Sequence, residues 1–405
     1  MEPPYQRLRR LAAADDRLAI GLMSGTSMDG VDAVLVHVGG QQGLPVQRVA
    51  WFHQPIAADL RERMVRAMQP HQSDVTLLCE LNIEIGEVFA QAALGVMHEA
   101  RTAAQDIALI GSHGQTVYHI PRANEARGWQ TASTLQLGDP SVIAARTGVT
   151  TVGNFRVRDM ALGGVGAPLI PFVDGFLFGS STRDVLCQNL GGIANCTLVR
   201  RDGLITAFDS GPANMVMDLL MQKLGGVPYD QDGEQARAGR VIQPALEEAL
   251  RHPFFQQAPP KATGHEDFGE SFADWLIEQT PGASCSDRVA TACELTARSI
   301  VQSYRDHFFS IAKPESVIVS GGGAKNRFLM ERLRDLAPAL DWQTIEAHGI
   351  DSAEKEALGF AVLGYATLCG IPANAPSVTG ANEACLLGNI APGDGCDWFS
   401  HGKDA

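Results

Sequence analysis

Three short stretches place glycines, hydroxyls and amides where they could hold a phosphate. The first, GLMSGTSMDG at residues 21–30, packs three glycines, two serines, a threonine and an aspartate into ten positions. A tight turn of Gly, Ser and Thr can aim several backbone amides at one anion. The hydroxyls of Ser24, Thr26 and Ser27 could add donors, and the span Gly25, Thr26, Ser27, Met28, Asp29, Gly30, Val31 and Asp32 would line the phosphates. Asp29 could hold Mg²⁺ directly or through water, because magnesium keeps several waters and takes one or two carboxylates. Taken alone, the loop reads equally as a plain hairpin turn. The second stretch, NLGGIAN at 189–195, again sets glycines between apolar runs, with Asn189 and Asn195 as amide donors around Gly191 and Gly192. The third, VIVSGGGAKN at 317–326, ends an apolar run on Gly321, Gly322 and Gly323, where a flat adenine ring could lie against bare backbone. None fits GxxxxGK[ST], which excludes a P-loop, and the first loop joins two strands where a dinucleotide loop needs a helix.

The elements that must position these loops follow from periodicity. Leu18–Met23 and Val31–Val38 read as strands around the first loop, and the runs beside Gly191 and before Gly321 read likewise. Helices are predicted over Asp59–Met68, Ser73–Ala100 with Ser73 as N-cap, Ser141–Thr147, Leu169–Phe178, Ala290–Ile311, Arg327–Leu336 and Leu358–Cys369. Each half carries a strand, a glycine turn and a second strand, followed by further strands and helices. This suggests two related α/β domains with a cleft between them. We place the N-terminal domain at 18–152 plus about 360–393, the C-terminal domain at 153–359, and tails at 1–17 and 394–405.

The chain has 405 residues, 45% of them hydrophobic and 19% charged, a balance that excludes a disordered chain. The net charge of −14, from 32 basic against 46 acidic residues, repels polyanions and argues against nucleic-acid binding. No apolar run is long enough to span a bilayer, and Asp15 and Asp16 interrupt any secretory core after RLRR, so neither membrane nor export is expected. Eight cysteines without a CxxC pair read as reduced thiols of a cytoplasmic protein, and the eleven histidines show no HExxH spacing for zinc.

Two hairpin phosphate loops and a late glycine-rich nucleoside loop resemble the actin/hexokinase-like ATPase superfamily, whose domains are ribonuclease H-like and clasp a nucleotide between them. Within it, GLMSGTSMDGVD, GSHGQT, NFRVRD, GGVGAPLIP, NLGGIAN, FDSGPAN and SGGGAKN together resemble the anhydro-N-acetylmuramic acid kinase family, from about Gly21 to about Gly388.

That resemblance implies a cytoplasmic homodimer that uses ATP and Mg²⁺ to open the 1,6-anhydro ring of its sugar with water and phosphorylate O6, in peptidoglycan recycling. The reaction needs a carboxylate to deprotonate water, and Asp209 in AFDSGPAN carries that role by resemblance; it could also, or instead, cap the helix that follows. By resemblance Glu356 in DSAEKEALGF is a second carboxylate near the sugar, against a solvated helix-start glutamate. Gly211 and Asn214 of FDSGPAN and Asn326 of SGGGAKN are expected beside the nucleotide. Lys325 and the KATG stretch at Lys261–Gly264 are further candidates there. In NFRVRD, alternation would put Arg156 and Arg158 on one face of an extended segment, ready to grip the lactyl carboxylate, with Arg158 favoured by resemblance and a structural ion pair to Asp159 or Asp139 as the alternative. His113, Gln115 and Thr116 of GSHGQT could hydrogen-bond the sugar's hydroxyl and acetamido groups. The competing reading is a kinase or ATP-dependent ring-opening hydrolase of the same superfamily acting on another small molecule.

Overall fold

The structure is a computed structural model describing residues 16–25, 27–39, 46–180 and 182–393. Thr26 and the expected tail at 394–405 lie outside the described residues, as does the tail at the other end up to 15. The chain forms two compact units: one runs to Leu177 and resumes at Glu354, and the other is Phe178–Ala353. Residues 153–177 and 354–359, read from the sequence as part of the second domain, therefore lie with the first. The cause is visible at helix Lys355–Leu368: Ile170 and Val173 of helix Ile170–Phe178 fill the space over Gly359, and Lys355 Nζ stands 2.8 Å from buried Asp174.

In chain order the strands are β1 (Asp16–Met23), β2 (Gly30–Gly39), β3 (Gln47–Pro55), β4 (Ile107–Ser112), β5 (Gln115–Ile120), β6 (Ser133–Leu137), β7 (Thr151–Gly153), β8 (Val185–Leu190), β9 (Ile193–Val199), β10 (Ile205–Pro212), β11 (Ser316–Ser320), β12 (Asp341–Thr344) and β13 (Asn389–Ala391). The first unit's sheet has the order β13-β7-β4-β1-β2-β3, and β5 and β6 form a separate hairpin. The second unit's sheet has the order β10-β9-β8-β11-β12. In each, three strands run as an antiparallel meander and two more add in parallel to the first of them. The two units therefore share one ribonuclease H-like strand plan, as the two similar hairpins in the sequence predicted. The central strands are nearly uniform apolar runs because both faces are covered. The edge strand β3 is largely exposed, with Gln47 and Arg48 open to solvent and His53 half-buried.

Helix Val75–Glu99 begins one residue later than predicted, since Asp74 and not Ser73 accepts the Leu77 amide at 2.8 Å. Its Leu81, Ile85, Phe89 and Val96 are buried in the first core. Helix Cys285–His307 runs through the core of the second unit, and the hydroxyl of its Tyr304 donates to Gln188 at 2.7 Å, which satisfies a buried polar pair.

Helix Lys355–Leu368 lies directly on β1 and β4. Gly21 and Gly111 are register partners, and a Cβ on either would overlap the backbone carbonyl of Ala357 or Phe360. Gly364 faces the same strands, its missing Cβ leaving room 3.2 Å from the Gly111 backbone. Buried Leu358, Phe360, Val362 and Leu363 then contribute about 2 kcal/mol each by leaving water. This close seat fixes where the helix start, and with it Glu356, comes to rest. Among the described residues no helix is long and apolar enough to cross a membrane.

Candidate active site

The β1–β2 hairpin carries the first loop. Ser24 is buried and its hydroxyl donates to the Gly30 carbonyl at 2.9 Å, closing the loop across its neck. Met28 adopts φ 50° and turns its side chain into the core beside Val31. These two can thus offer a ligand only their backbone. A Cβ on Gly25 would meet nothing within 4 Å, so the backbone there is open. Ser27 and Asp29 are exposed, and the Ser27 hydroxyl donates to Asp29 at 2.7 Å. That bond holds the Asp29 carboxyl below the ordinary range, so it stays ionised. Asp32 is paired with His53 at 2.9 Å, which leaves Asp29 as the loop's open acid. Among the described residues no three His, Cys, Asp or Glu side chains converge on a metal, so a magnesium ion here would have one carboxylate and otherwise water and phosphate, a set that ion accepts.

A buried polar cluster lies at the end of β4. Asp159, fully buried, accepts from the Gly166 amide at 2.8 Å, Asn374 at 2.9 Å and the Thr379 hydroxyl at 2.7 Å. The Gly166 carbonyl in turn accepts from Arg156 at 2.8 Å, and a second Arg156 nitrogen lies 2.8 Å from Nε2 of His113. A guanidinium only donates, so Nε2 accepts and Nδ1 carries the proton. Burial, reinforced by Arg156, pushes His113 down to about 3, so the ring is neutral at physiological pH. Four buried atoms here have no hydrogen-bond partner among the described residues: Ser112 Oγ, His113 Nδ1, Gln115 Oε1 and Arg156 Nε. Each such group costs about 1–3 kcal/mol unless a water or a ligand meets it. Gln115 also reaches back to the Gly25 carbonyl at 3.4 Å, and Thr116 accepts from Gln136 at 3.1 Å.

The arginines do not share a face. Asn154 at φ 56° turns the chain, Phe155 is buried, and Val157–Ala161 is a short helix capped at Arg156. Two residues apart on a helix point in diverging directions, so half-buried Arg156 joins the cluster and Arg158 faces solvent. The alternative pairing also fails, since Asp159 is bound by Gly166, Asn374 and Thr379, and Asp139 caps helix Pro140–Thr147 through the Ser141 amide at 2.8 Å. Ser112, not expected from the sequence, belongs to the cluster because it ends the same buried strand.

Glu356 is open to water yet surrounded by protein, as a side chain in a recess would be. Burial raises its carboxyl above the ordinary value, against the pull of Lys355 and Arg156. Its neighbours on the helix are spoken for: Glu354 pairs with Arg48 at 2.5 Å and Lys355 with Asp174 at 2.8 Å.

In the second unit, register does what sequence spacing hid. Ser320, Asn189, Asn195 and Asp209 are successive cross-strand partners on β11, β8, β9 and β10. Directly opposed residues point to the same side of a sheet, so four separate motifs meet in one row. The carbonyls of Gly191 and Gly192 accept from the amides of Asn214, Ala213 and Met215 at 2.9 to 3.1 Å. A trans peptide points its N–H opposite to its C=O, so the Gly192 and Ile193 amides face away from that helix, as an anion nest requires. Asn214 spends its side-chain amide on the carbonyls of Leu190 and Gly191, at 3.0 and 2.8 Å, and so shapes the turn. Gly321, at φ 88°, and Gly323 let the third loop press on Leu190, where any Cβ would fall at 2.7 Å. Asn326 caps helix Arg327–Leu336 through the Leu329 amide at 3.0 Å. Gly322, Lys325 and Asn326 of this loop line a cavity of about 410 Å³ with Asn214, Asp218 and Tyr229.

Asp209 is not a helix cap: helix Asn214–Leu220 has Ala213 at that position, with no side-chain bond. A bulge between Asp209 and Gly211, with Gly211 at φ 140°, re-aims the strand end, and a Cβ on Gly211 would strike Phe255. The Thr263 amide donates to Asp209 Oδ2 at 2.9 Å, and the Asp209 amide donates to the Lys261 carbonyl at 3.1 Å. Burial pushes the Asp209 carboxyl up to about 6, with Thr263 and Lys261 opposing and Glu266 adding to the rise. The KATG stretch, considered above for the nucleotide, thus frames this acid.

A β-meander with two added parallel strands, repeated in both units with a glycine turn after the first strand of each, is the plan of the actin/hexokinase-like ATPase fold. Within that fold class the chain belongs to the anhydro-N-acetylmuramic acid kinase family, whose model matches residues 17–393. An anhydro-N-acetylmuramic acid kinase of Caldanaerobacter subterraneus subsp. tengcongensis is 41% identical over 394 residues, covering 95% of this chain and 99% of that one. One of Gloeobacter violaceus is 45% identical over 383 residues, covering 93% and 99%. The chain is accordingly a kinase, and ATP is its implied phosphoryl donor.

Proposed function

We propose that this chain opens the 1,6-anhydro ring of anhydro-N-acetylmuramic acid with water and phosphorylates O6 from ATP, giving N-acetylmuramic acid 6-phosphate and ADP. Asp209 carries the reading: a half-buried carboxyl, gripped at one oxygen by Thr263 and pushed up to about 6. Such a group is ionised at neutral pH and still basic enough to take a proton from water during attack. The water oxygen bonds to C1 and its proton passes to Asp209. The C1–O6 bond breaks with its electron pair on O6, and O6 takes the γ-phosphoryl group, so O6 needs no separate acid. Glu356, with its raised carboxyl, is the second acid assigned to the sugar.

The unsatisfied Ser112, Gln115 and Arg156 atoms suit a ligand rich in hydroxyl and amide groups. Arg156 would hold the lactyl carboxylate, with neutral His113 beside it fixing the guanidinium. The open backbone at Gly25 and the outward amides at Gly192 suit the phosphates, with the adenosine assigned to the cavity beside Gly322. Asp29, ionised and exposed, would hold Mg²⁺ directly or through water, and the ion when bound neutralises phosphate charge. The setting we assign, a cytoplasmic homodimer serving peptidoglycan recycling, rests on family membership.

The test is product identification by mass spectrometry from ATP, the anhydro sugar and ¹⁸O-labelled water. One ¹⁸O at C1 and the phosphate on O6 is the expected result. ADP release that ignores the sugar, or label in the phosphate, would overturn the reading and favour a related kinase of another small molecule.

A further inference from the structure

The loop that follows the cavity-lining segment of the second unit does more for Asp209 than fill space. Lys261 is buried, its ammonium 4.7 Å from the Phe254 ring and 5.7 Å from that of Phe208, which anchors the loop's start. Its carbonyl takes the Asp209 amide, and the Thr263 amide two residues on takes Asp209 Oδ2. The Thr263 hydroxyl donates to Asp267 Oδ2 at 2.7 Å, tying the loop to the short helix His265–Phe268. Among the described residues no hydrogen bond reaches Asp209 Oδ1. The charged and titratable groups facing this carboxyl are Glu266, Lys261 and the buried Cys196 thiol, with Asp306 and His307 behind Lys261.

We infer that Thr263 is a positioning residue for the ring-opening step: its amide holds Oδ2, which leaves Oδ1 as the oxygen that receives the water proton, and its hydroxyl holds the amide in place through Asp267. The inference rests on Asp209 being the base. Three features of the geometry carry it. The grip is one-sided. It comes from backbone, which cannot swing away as a side chain can. It is braced by a side-chain bond from the Thr263 hydroxyl to Asp267. An amide bonded to the ionised form also favours ionisation, so the same contact keeps the base ready at neutral pH.

The experiment is the pH dependence of kcat/KM for the anhydro sugar in wild type, Thr263→Val, Thr263→Ser, Asp267→Ala and Asp209→Asn. Thr263→Val loses the brace. We expect kcat to fall about tenfold, the acid limb to move up by about one pH unit, and KM for ATP to stay within twofold. Thr263→Ser restores both limb and rate, a rescue that a packing defect would not give. Asp267→Ala reproduces the Thr263→Val shift from the other side of the brace and serves if Thr263→Val does not fold. An unmoved acid limb and normal kcat in Thr263→Val or Asp267→Ala, with Asp209→Asn inactive, overturns this inference alone. Full activity in Asp209→Asn instead overturns the assignment of the base.

Discussion

Asp209→Asn should make the protein more stable while stopping its chemistry. The carboxyl rises from an ordinary 3.8 to about 6 in the fold, chiefly through burial. A carboxyl with a raised folded value favours the native state while protonated, so that contribution is present below pH 3.8 and is lost as pH climbs through 6. A tenfold change in proton affinity corresponds to about 1.36 kcal/mol, so the ionised acid costs the native state about 3 kcal/mol at pH 8. Asparagine keeps an oxygen for the Thr263 amide and carries no charge to desolvate. Part of the gain is offset where its new amide group needs a partner, which leaves a stabilisation of about 1–3 kcal/mol. Urea unfolding of both proteins at pH 8 and pH 4 reads this directly. The gap should be present at pH 8 and shrink to a few tenths of a kcal/mol at pH 4, where the native Asp209 is already protonated. Equal stability at pH 8, or a gap that ignores pH, would refute the claim that burial of a charge tunes this carboxyl.

Arg156→Ala should raise KM for the anhydro sugar by about 10–100-fold, the loss of a charge-assisted pair, while Arg158→Ala changes it less than threefold; steady-state kinetics with equal effects would undo the distinction drawn between them. Nitrogen-detected NMR should show His113 neutral, protonated at Nδ1, from pH 5 to 9, and a titration midpoint above 5 would contradict its place in the cluster. Gly111→Ala forces a methyl onto the Phe360 carbonyl, so we expect a loss of more than about 2 kcal/mol in denaturant melts together with lost turnover; a neutral result would mean that the helix seat is loose.

Much of this was legible in the sequence, for local reasons. Apolar runs broken by glycines at 21–30 and 189–195 specify hairpins, and the repeat of that pattern foretold two sheets of one plan. The amphipathic run at Arg327–Leu336 predicts its helix, whereas Asn326, expected beside the nucleotide, caps that helix as well as lining the cavity. Other features depend on tertiary context. NFRVRD alternates like a strand, but a left-handed Asn154 and a buried Phe155 bend it into a helix. Asp209 and Thr263 meet although 54 residues apart, a pairing no local pattern contains. The boundary of the units moved because Gly359 and Asp174 bind helix Ile170–Phe178 to the returning helix, a pairing no local window contains.

The row of Ser320, Asn189, Asn195 and Asp209 makes strand register a chemical variable. A slip of β9 by one residue would leave every backbone bond of the ladder remakeable, yet it would send Asn195 to the opposite face and offset the Gly191–Gly192 turn from Asp209. The Gly191–Gly192 turn, pinned by helix Asn214–Leu220, and the bulge before Gly211 work as two stops that hold the strand at one setting. Insertions in the second unit should therefore be tolerated at the exposed turn after β9 near Asp202 and Gly203, and be silent there for both fold and chemistry, whereas a single residue added at the Gly191–Gly192 turn would detune the acid without touching it.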